Sequence, residues 1–455
     1  MLKVLKFGGT SVGTIASLRN VKTIVEGLDQ PAIIVVSALG GLTDRLIATA
    51  ESSASGSNLY SEEMVAIRKR HFDIIEELIP TERRKQVLET ISELLDNLEN
   101  LYKGLSLIRM LPEQTLAEIV SFGERMSSVI VANMLDNATH HNSLELFKTE
   151  KWFSRNIADR VLSEELIVKE FSLPLKSHAV TGGFISTDKA TGEITNLGRG
   201  GSDYSAALIA AALNAELLEI WTDVDGFLSA DPRIVKDAQI IPEMSFIESM
   251  ELCSFGAKVI YPPTIYPVFH KNIPIKILNT FNPTAPGTFI SEISPDKGRV
   301  RGVSSLNNTA IITIKGPLTG NVPEINSRAY NAMAKNGISV FLVAQPADDS
   351  AFSMAMPRQD AEKAGKQLML EFSPELQSGE IESIETSSDL SVVVAVGEGL
   401  KQTIGLAARL VNTLERSGIN VRAVSEGASD TTIALVVDSV NVNTAVNLVH
   451  AACFI

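Results

Sequence analysis

Residues 4–13 read VLKFGGTSVG: a short apolar run from Val4 to Phe7 that stops on Gly8-Gly9. The run is strand-like, and residues 14–28 behind it place Leu18, Val21 and Ile24 on one helical face. Residues 32–37, AIIVVS, then form a nearly continuous apolar stretch. Such stretches fit strands buried on both faces, as in parallel sheets. Strand, glycine turn, helix and strand in that order predict an α/β layered domain, a sheet with helices on both faces.

Further along, Val87, Ile91, Leu94, Leu98 and Leu101 recur at helical spacing with charges between them. They predict a helical subdomain over about 60–138, carried on the edge of the sheet. The α/β pattern resumes at Ala179-Val180 and at Leu218 to Trp221 and runs to about residue 290, where Pro283, Pro286 and Gly287 close it. A first domain over 1–295 follows. The last third repeats itself: NGISVFLVAQPADDSAFSMAM (336–356) aligns with SGINVRAVSEGASDTTIALVV (417–437). Gly337, Ile338 and Val340 match Gly418, Ile419 and Val421. Val343, Ala347 and Asp349 match Val424, Ala428 and Asp430, and Gly316 and Gly397 keep the same offset. Each copy reads as a small α+β module, βαββ, giving domains over 296–380 and 381–455. Modules that each expose a strand edge or sheet face bury it by pairing.

The 455 residues are 45% hydrophobic and 21% charged, which excludes wholesale disorder. Forty Lys and Arg against 54 Asp and Glu leave a formal charge of −14, which argues against coating nucleic acid or binding anionic membranes. Cys253 and Cys453 cannot build a disulfide framework or an all-cysteine zinc site. No window approaches the roughly 18 apolar residues of a membrane span, and MLKVLKFGGTSVG is too short in apolar residues for a secretory signal. The expectation is a soluble, cytoplasmic protein.

Chemistry concentrates at glycine clusters. Lys6 stands before Gly8-Gly9, where side-chain-free backbone admits a phosphate and the lysine supplies a mobile charge. A Gly-Gly turn that merely ends a strand is the plain alternative. Gly198-Arg199-Gly200-Gly201-Ser202-Asp203 runs into an Ala-rich helix, again an anion nest at a helix start; Ser202 or Asp203 as a simple N-cap is the alternative there. Trp221-Thr222-Asp223-Val224-Asp225-Gly226 leads to Asp231-Pro232-Arg233, where Asp225 and Asp231 are also ordinary turn residues. Phe255-Gly256-Ala257-Lys258 offers a lysine, and Gly123-Glu124 a glutamate that could be an exposed helix residue. No Ser-His-Asp set, cysteine nucleophile or metal-ligand spacing stands out. Two lysines, an arginine and carboxylates around glycine loops suit phosphoryl transfer from a nucleotide, which needs positioning and charge neutralisation.

KFGGTSV, SALGGLTD (37–44), SFGERMS (121–127), LGRGGSDYSAA (197–207), WTDVDGF with DPR (221–233) and FGAKVIYP (255–262) together resemble the aspartate kinases of the amino-acid kinase family. The resemblance spans essentially the whole chain, the repeat looking like paired ACT domains. It implies transfer of the ATP γ-phosphoryl group to the β-carboxylate of L-aspartate, the first step of lysine, threonine and methionine biosynthesis, with Mg²⁺ accompanying ATP. Lys6 and Asp203 would be catalytic, and Ser37, Thr43, Glu124 and Arg199 would bind aspartate. Gly8, Gly9, Thr222, Asp223, Arg233 and Lys258 would bind the nucleotide. The turn Gly226-Phe227-Leu228 departs from the family's Gly-x-Tyr. The resemblance also implies a homodimer or higher oligomer through the ACT-type modules, and an amino-acid effector lined by Gly337, Ile338, Val340 and Gln345. Some lysine-sensitive relatives carry Asp where Phe341 stands; Phe341 offers no partner to an ammonium, so threonine is expected over lysine. Some relatives continue into a homoserine dehydrogenase, so the kinase half of a bifunctional enzyme stays open. A non-catalytic amino-acid sensor and a kinase for another acid stay open too.

Overall fold

The computed structural model describes residues 2–152, 155–316, 322–345, 350–426 and 430–454; Ala347, Asp349 and Ala428 of the repeat alignment lie outside the described residues. The chain divides into two units. One comprises Met1–Phe227, Pro242–Phe246 and Val259–Ile293, the other Leu228–Ile241, Ile247–Lys258 and Ser294–Ile455.

The first unit opens with β1 (Lys3–Phe7), α1 (Ile15–Glu26) and β2 (Ile33–Val36). Thr14 caps α1: its hydroxyl accepts the Ser17 N–H while Ser17 Oγ accepts the Thr14 N–H. There follow α2 (Leu42–Ala54), α3 (Tyr60–Leu78), α4 (Thr81–Ile108), α5 (Glu113–Met134), β3 (Ala138–His141) and α6 (Ser143–Leu146). Next come β4 (Lys148–Trp152), β5 (Arg155–Ala158), α7 (Arg160–Glu170), β6 (His178–Gly182), β7 (Ile185–Asp188), β8 (Ile194–Asn196), α8 (Gly201–Ala212) and β9 (Leu217–Thr222). After β10 (Glu243–Ser245) the chain passes through α9 (Phe246–Ser254), which from Ile247 on belongs to the second unit, and the first unit ends with α10 (Tyr266–Phe269), β11 (Ile275–Asn279) and β12 (Thr288–Ser291). Eight strands make one sheet in the order β10-β12-β11-β9-β1-β2-β6-β3, parallel except for β11–β12; β5-β4-β7-β8 make a smaller one. Pro283, Pro286 and Gly287 therefore do not close the α/β pattern but turn β11 into β12. Gly287 has φ +73°, and a Cβ there would stand 2.3 Å from the Ile277 carbonyl oxygen.

Leu5, Phe7, Ile34 and Val36 face one way and share a core with Ile74, Leu95, Tyr102, Phe122 and Ile130. Val4, Ile33 and Val35, pointing the other way, are equally buried, and α8 packs on β1, β2 and β9. Helices thus cover both faces. The helical subdomain lies over a face of the sheet rather than on its edge, because α5 is buried on several sides and packs on β2, β3 and β6 as well as on α2 and α4. Among the described residues no helix is long and apolar enough to cross a membrane.

The second unit carries β13 (Gly302–Lys315), α11 (Val322–Lys335), β14 (Leu342–Ala344), β15 (Ala351–Pro357), α12 (Arg358–Glu371) and α13 (Ser373–Ser378). Then come β16 (Ser383–Val396), α14 (Leu406–Glu415), β17 (Val421–Glu426), β18 (Thr432–Asp438) and α15 (Val442–Phe454). Each repeat gains a closing helix, βαββα, and both share one sheet, β14-β15-β13-β16-β18-β17. The long strands β13 and β16 run antiparallel from Gly302↔Val396 to Lys315↔Ser383, with a bulge between Leu306 and Thr309. Each strand serves both modules. Val303 joins the core of Val393, Leu410, Leu435 and Val449, whereas Ile381 and Ile384 pack with Ile312, Phe352 and Leu368. A boundary at 380/381 therefore cuts through one core. The modules pair within the chain, leaving β14 and β17 as the sheet's edges.

Candidate active site

Strands β1, β2, β6 and β9 run parallel, so their carboxyl ends lie along one edge of the sheet. A cleft of about 410 Å³ opens there, lined by Lys6, Gly9, Ser37, Thr43, Glu124, Arg199 and Asp203 among others. Five separate stretches of sequence thus meet in one place.

Lys6 alternates with Leu5 and Phe7 along β1 and so points away from their core, towards α8. Its Nζ lies 2.6 Å from Asp203 Oδ1, and both side chains are largely buried. The N-cap of α8 is Gly200, at φ +69°, with no side-chain cap. Ser202 and Asp203 sit inside the first turn instead, so capping does not explain them. Their N–H groups are among those a helix start leaves without intrahelical acceptors. A Cβ on Gly200 would meet Tyr261 Cβ at 2.6 Å, and one on Gly183 would meet Ser202 Cα at 2.6 Å. Glycine is what lets these segments close on the cleft.

Glu124 is not the exposed helix residue its position in α5 allowed. It is 3% exposed. Oε1 accepts the Ala38 N–H at 3.1 Å, while Oε2 is buried with no partner. Burial pushes its pKa up to about 8, the Ala38 hydrogen bond opposing the rise. Gly123 permits this approach, since a Cβ there would stand 2.6 Å from Ala38 Cβ. Ser37 is fixed through its backbone: its N–H donates to Phe7 O and its carbonyl accepts from Ser127 Oγ. Thr43 sits in the first turn of α2, behind Gly41 at φ +75°. Arg199 is exposed, its guanidinium carbon 5.9 Å from the Tyr261 ring centroid, and it forms no ion pair among the described residues.

The nucleotide-side residues are less gathered. Gly8 donates to Trp221 O and abuts Lys6 Nζ. Thr222 ends β9, its hydroxyl 3.3 Å from Asp223 Oδ1; neither lines the cleft. Arg233 and Lys258 belong to the second unit. Arg233 is exposed and its guanidinium grips Asp231 through Nε and Nη2. Asp231 also accepts the Arg233 N–H, as a turn residue does. Ile338 is buried in the first module's core, and the half-buried Val340 packs against it. Gly337, at φ +67°, makes the turn after α11, and exposed Gln345 accepts from Asn326 Nδ2. Sequence alone did not single out Phe184, which lines the cleft at φ +65°, or Gly40 and Gly41. The Gly-Gly pairs 182–183 and 40–41 were the available signal.

A glycine-looped parallel sheet with a lysine–aspartate pair at its carboxyl edge, followed by paired small α+β modules, defines a known class. Residues 1–279 match the amino acid kinase family and residues 393–453 the ACT domain. The chain belongs to the amino acid kinase family. Within it the chain is similar to aspartokinases: lysine-sensitive aspartokinase 3 of Escherichia coli is 30% identical, with 99% of each chain covered. The crystal structure of E. coli aspartokinase III in complex with aspartate and ADP matches with a TM-score of 0.84 at 28% identity, covering 100% of both chains. The bifunctional aspartokinase/homoserine dehydrogenase of Haemophilus influenzae is 33% identical over all of this chain and 56% of its own. The chain thus spans about half the length of the bifunctional relatives it matches.

Proposed function

We propose that the chain is an ATP-dependent aspartate kinase, moving the γ-phosphoryl group of ATP to the β-carboxylate of L-aspartate and releasing ADP and 4-phospho-L-aspartate. The observation that carries this is the cleft's charge pattern: a Lys6–Asp203 pair at the end of β1, an Arg199 with no ion pair among the described residues and a buried carboxylate oxygen on Glu124. An α-amino acid supplies the complement. Its carboxylate takes the Arg199 fork, its ammonium takes Glu124 Oε2, and its side-chain carboxylate extends towards Ser37, Thr43 and Lys6. That acceptor is ionised at neutral pH, so no general base is required. Lys6, steered by Asp203, neutralises the transferring group, with the backbone of Gly8 and Gly9 beside it. Thr222 and Asp223, at the carboxyl end of β9, hold the nucleotide. Mg²⁺ enters as part of the substrate, carried by the ATP phosphates. The direct test is ADP release with L-aspartate against a panel of other amino acids. Absence of aspartate-dependent release would refute the assignment.

Glu124 gives the proposal a pH signature. With its pKa at about 8 the carboxyl is mostly protonated at neutral pH, whereas an ammonium requires the carboxylate. Aspartate kcat/KM should therefore rise with pH through about 8, and Glu124→Gln should flatten that limb. Stability runs the opposite way. The folded-state pKa lies above the ordinary 4.5, so the stabilising contribution of the protonated group is complete below 4.5 and is lost as pH rises through about 8. The melting temperature of the wild type relative to Glu124→Gln should fall across that window.

For regulation, Gln345 and the half-buried Phe341 favour a small polar effector over one with a side-chain ammonium. Threonine should inhibit turnover more strongly than lysine, and Gln345→Ala should blunt its effect. Titration with each amino acid decides; inhibition by lysine alone would reverse the choice.

A further inference from the structure

Arg70 lies on α3, outside every motif, and reaches two glycine loops at once. Its Nη2 donates to Gly13 O at 2.7 Å and to Gly40 O at 2.9 Å. One carbonyl belongs to the loop after β1, the other to the loop after β2. Those loops press together more closely than side chains would permit. A Cβ on Gly40 would stand 2.8 Å from Gly9 O, and one on Gly9 would stand 3.2 Å from Ala38 O. Yet among the described residues no backbone hydrogen bond joins Gly9–Gly13 to Ala38–Gly41; the nearest is Ser37 N–H on Phe7 O, where the strands still run together. Two carbonyl dipoles brought side by side need a donor between them. Arg70 is half-buried and has no ion-pairing carboxylate among the described residues, so its charge is directed at those two carbonyls.

We propose that Arg70 is a positioning residue that locks the Gly8–Gly13 loop to the Ser37–Gly41 loop and so fixes the phosphate-facing backbone relative to Ser37 and Thr43. The lock is a property of the fold; its consequence for turnover rests on the kinase assignment. Phosphoryl transfer is sensitive to such placement, since a displacement of an ångström can slow a reaction by about 100-fold. The lock acts on alignment more than on holding either substrate, so its loss should appear in kcat.

The test uses Arg70→Ala, Arg70→Met and Arg70→Lys in the full chain, with two readouts. Hydrogen exchange should quicken in peptides spanning 8–13 and 37–43 of Arg70→Ala and stay unchanged in β6 and β9. In Arg70→Met, kcat should fall by about 100-fold, with the aspartate and ATP KM values each changed by less than about threefold. Arg70→Lys should recover part of the loss, and added guanidinium ion should recover part in Arg70→Ala. Unchanged exchange in either loop overturns the lock. So does a general rise in exchange with lowered melting temperature and no guanidinium rescue, which would make Arg70 a packing residue only. If exchange responds but the wild type releases no ADP with aspartate, the kinase assignment fails while the lock stands. A wild-type kcat in Arg70→Met overturns the catalytic consequence.

Discussion

Lys6→Ala should lower aspartate-dependent turnover by two to four orders of magnitude and leave the protein folded. The ammonium sits at the carboxyl end of β1, 2.6 Å from Asp203 and against Gly8. Among the described residues no other lysine lines the cleft. Removing an electrostatic clamp from a transferring phosphoryl group raises the barrier by on the order of 3–5 kcal/mol, and about 1.4 kcal/mol is tenfold. The fold should survive because the largely buried Asp203 borders the cleft, from which water enters the space the lysine vacates. Circular dichroism and a melting curve establish folding, and single-turnover ADP formation establishes the defect. Near-normal turnover in a folded variant would remove Lys6 from the chemistry. A deficit confined to KM would make it a binding group.

Where side-chain pattern and backbone need coincide, the sequence was a sufficient guide. AIIVVS fits a strand buried on both faces, as in a parallel sheet, and β2 is buried throughout. Gly8-Gly9 and Gly198 to Gly201 mark loops where backbone must approach other groups, so Lys6, Arg199 and Asp203 could be gathered before any coordinates existed. Contacts made across the fold left no such trace. Helical spacing in 87–101 shows that a face is buried, not what buries it, so the subdomain's seat on the sheet had to be observed. Nothing in the repeat shows that β13 and β16 would each extend past the bulge at Leu306–Thr309 into the neighbouring module. Ile338 and Val340 match Ile419 and Val421 because both copies need core residues there, a structural reason that hides any ligand role. Arg233 looked available until Asp231, two residues away, was seen to hold it. Arg70 carries no local signal whatever; its meaning comes from two carbonyls 57 and 30 residues distant.

Arg199→Lys should raise the aspartate KM by about 10–100-fold and leave the ATP KM within about twofold, because hydrogen bonds to a charged group contribute about 1.5–3 kcal/mol. Both side chains carry one positive charge, so a purely electrostatic role would be preserved. The guanidinium differs in its planar pair of donors, which meets both oxygens of a carboxylate at once, and in its capacity to lie over an aromatic ring. Arg199 has such a ring in Tyr261 and no carboxylate of its own among the described residues. Exposure leaves it otherwise free, so Tyr261 restricts the orientations it samples before a ligand arrives. A lysine keeps the attraction, loses one of the two hydrogen bonds and is less pre-organised on the ring. Tyr261→Ala should therefore shift the aspartate KM in the same direction by a smaller factor, and the double variant should show less than the product of the two. Initial-rate kinetics with each substrate varied at saturation of the other provide the measurement. A selective rise in the ATP KM would assign Arg199 to the nucleotide and exchange the two halves of the cleft. An Arg199→Lys enzyme with an unchanged aspartate KM would mean that the substrate's α-carboxylate is held elsewhere, with the uncapped Ser202 and Asp203 N–H groups of α8 the next groups to test.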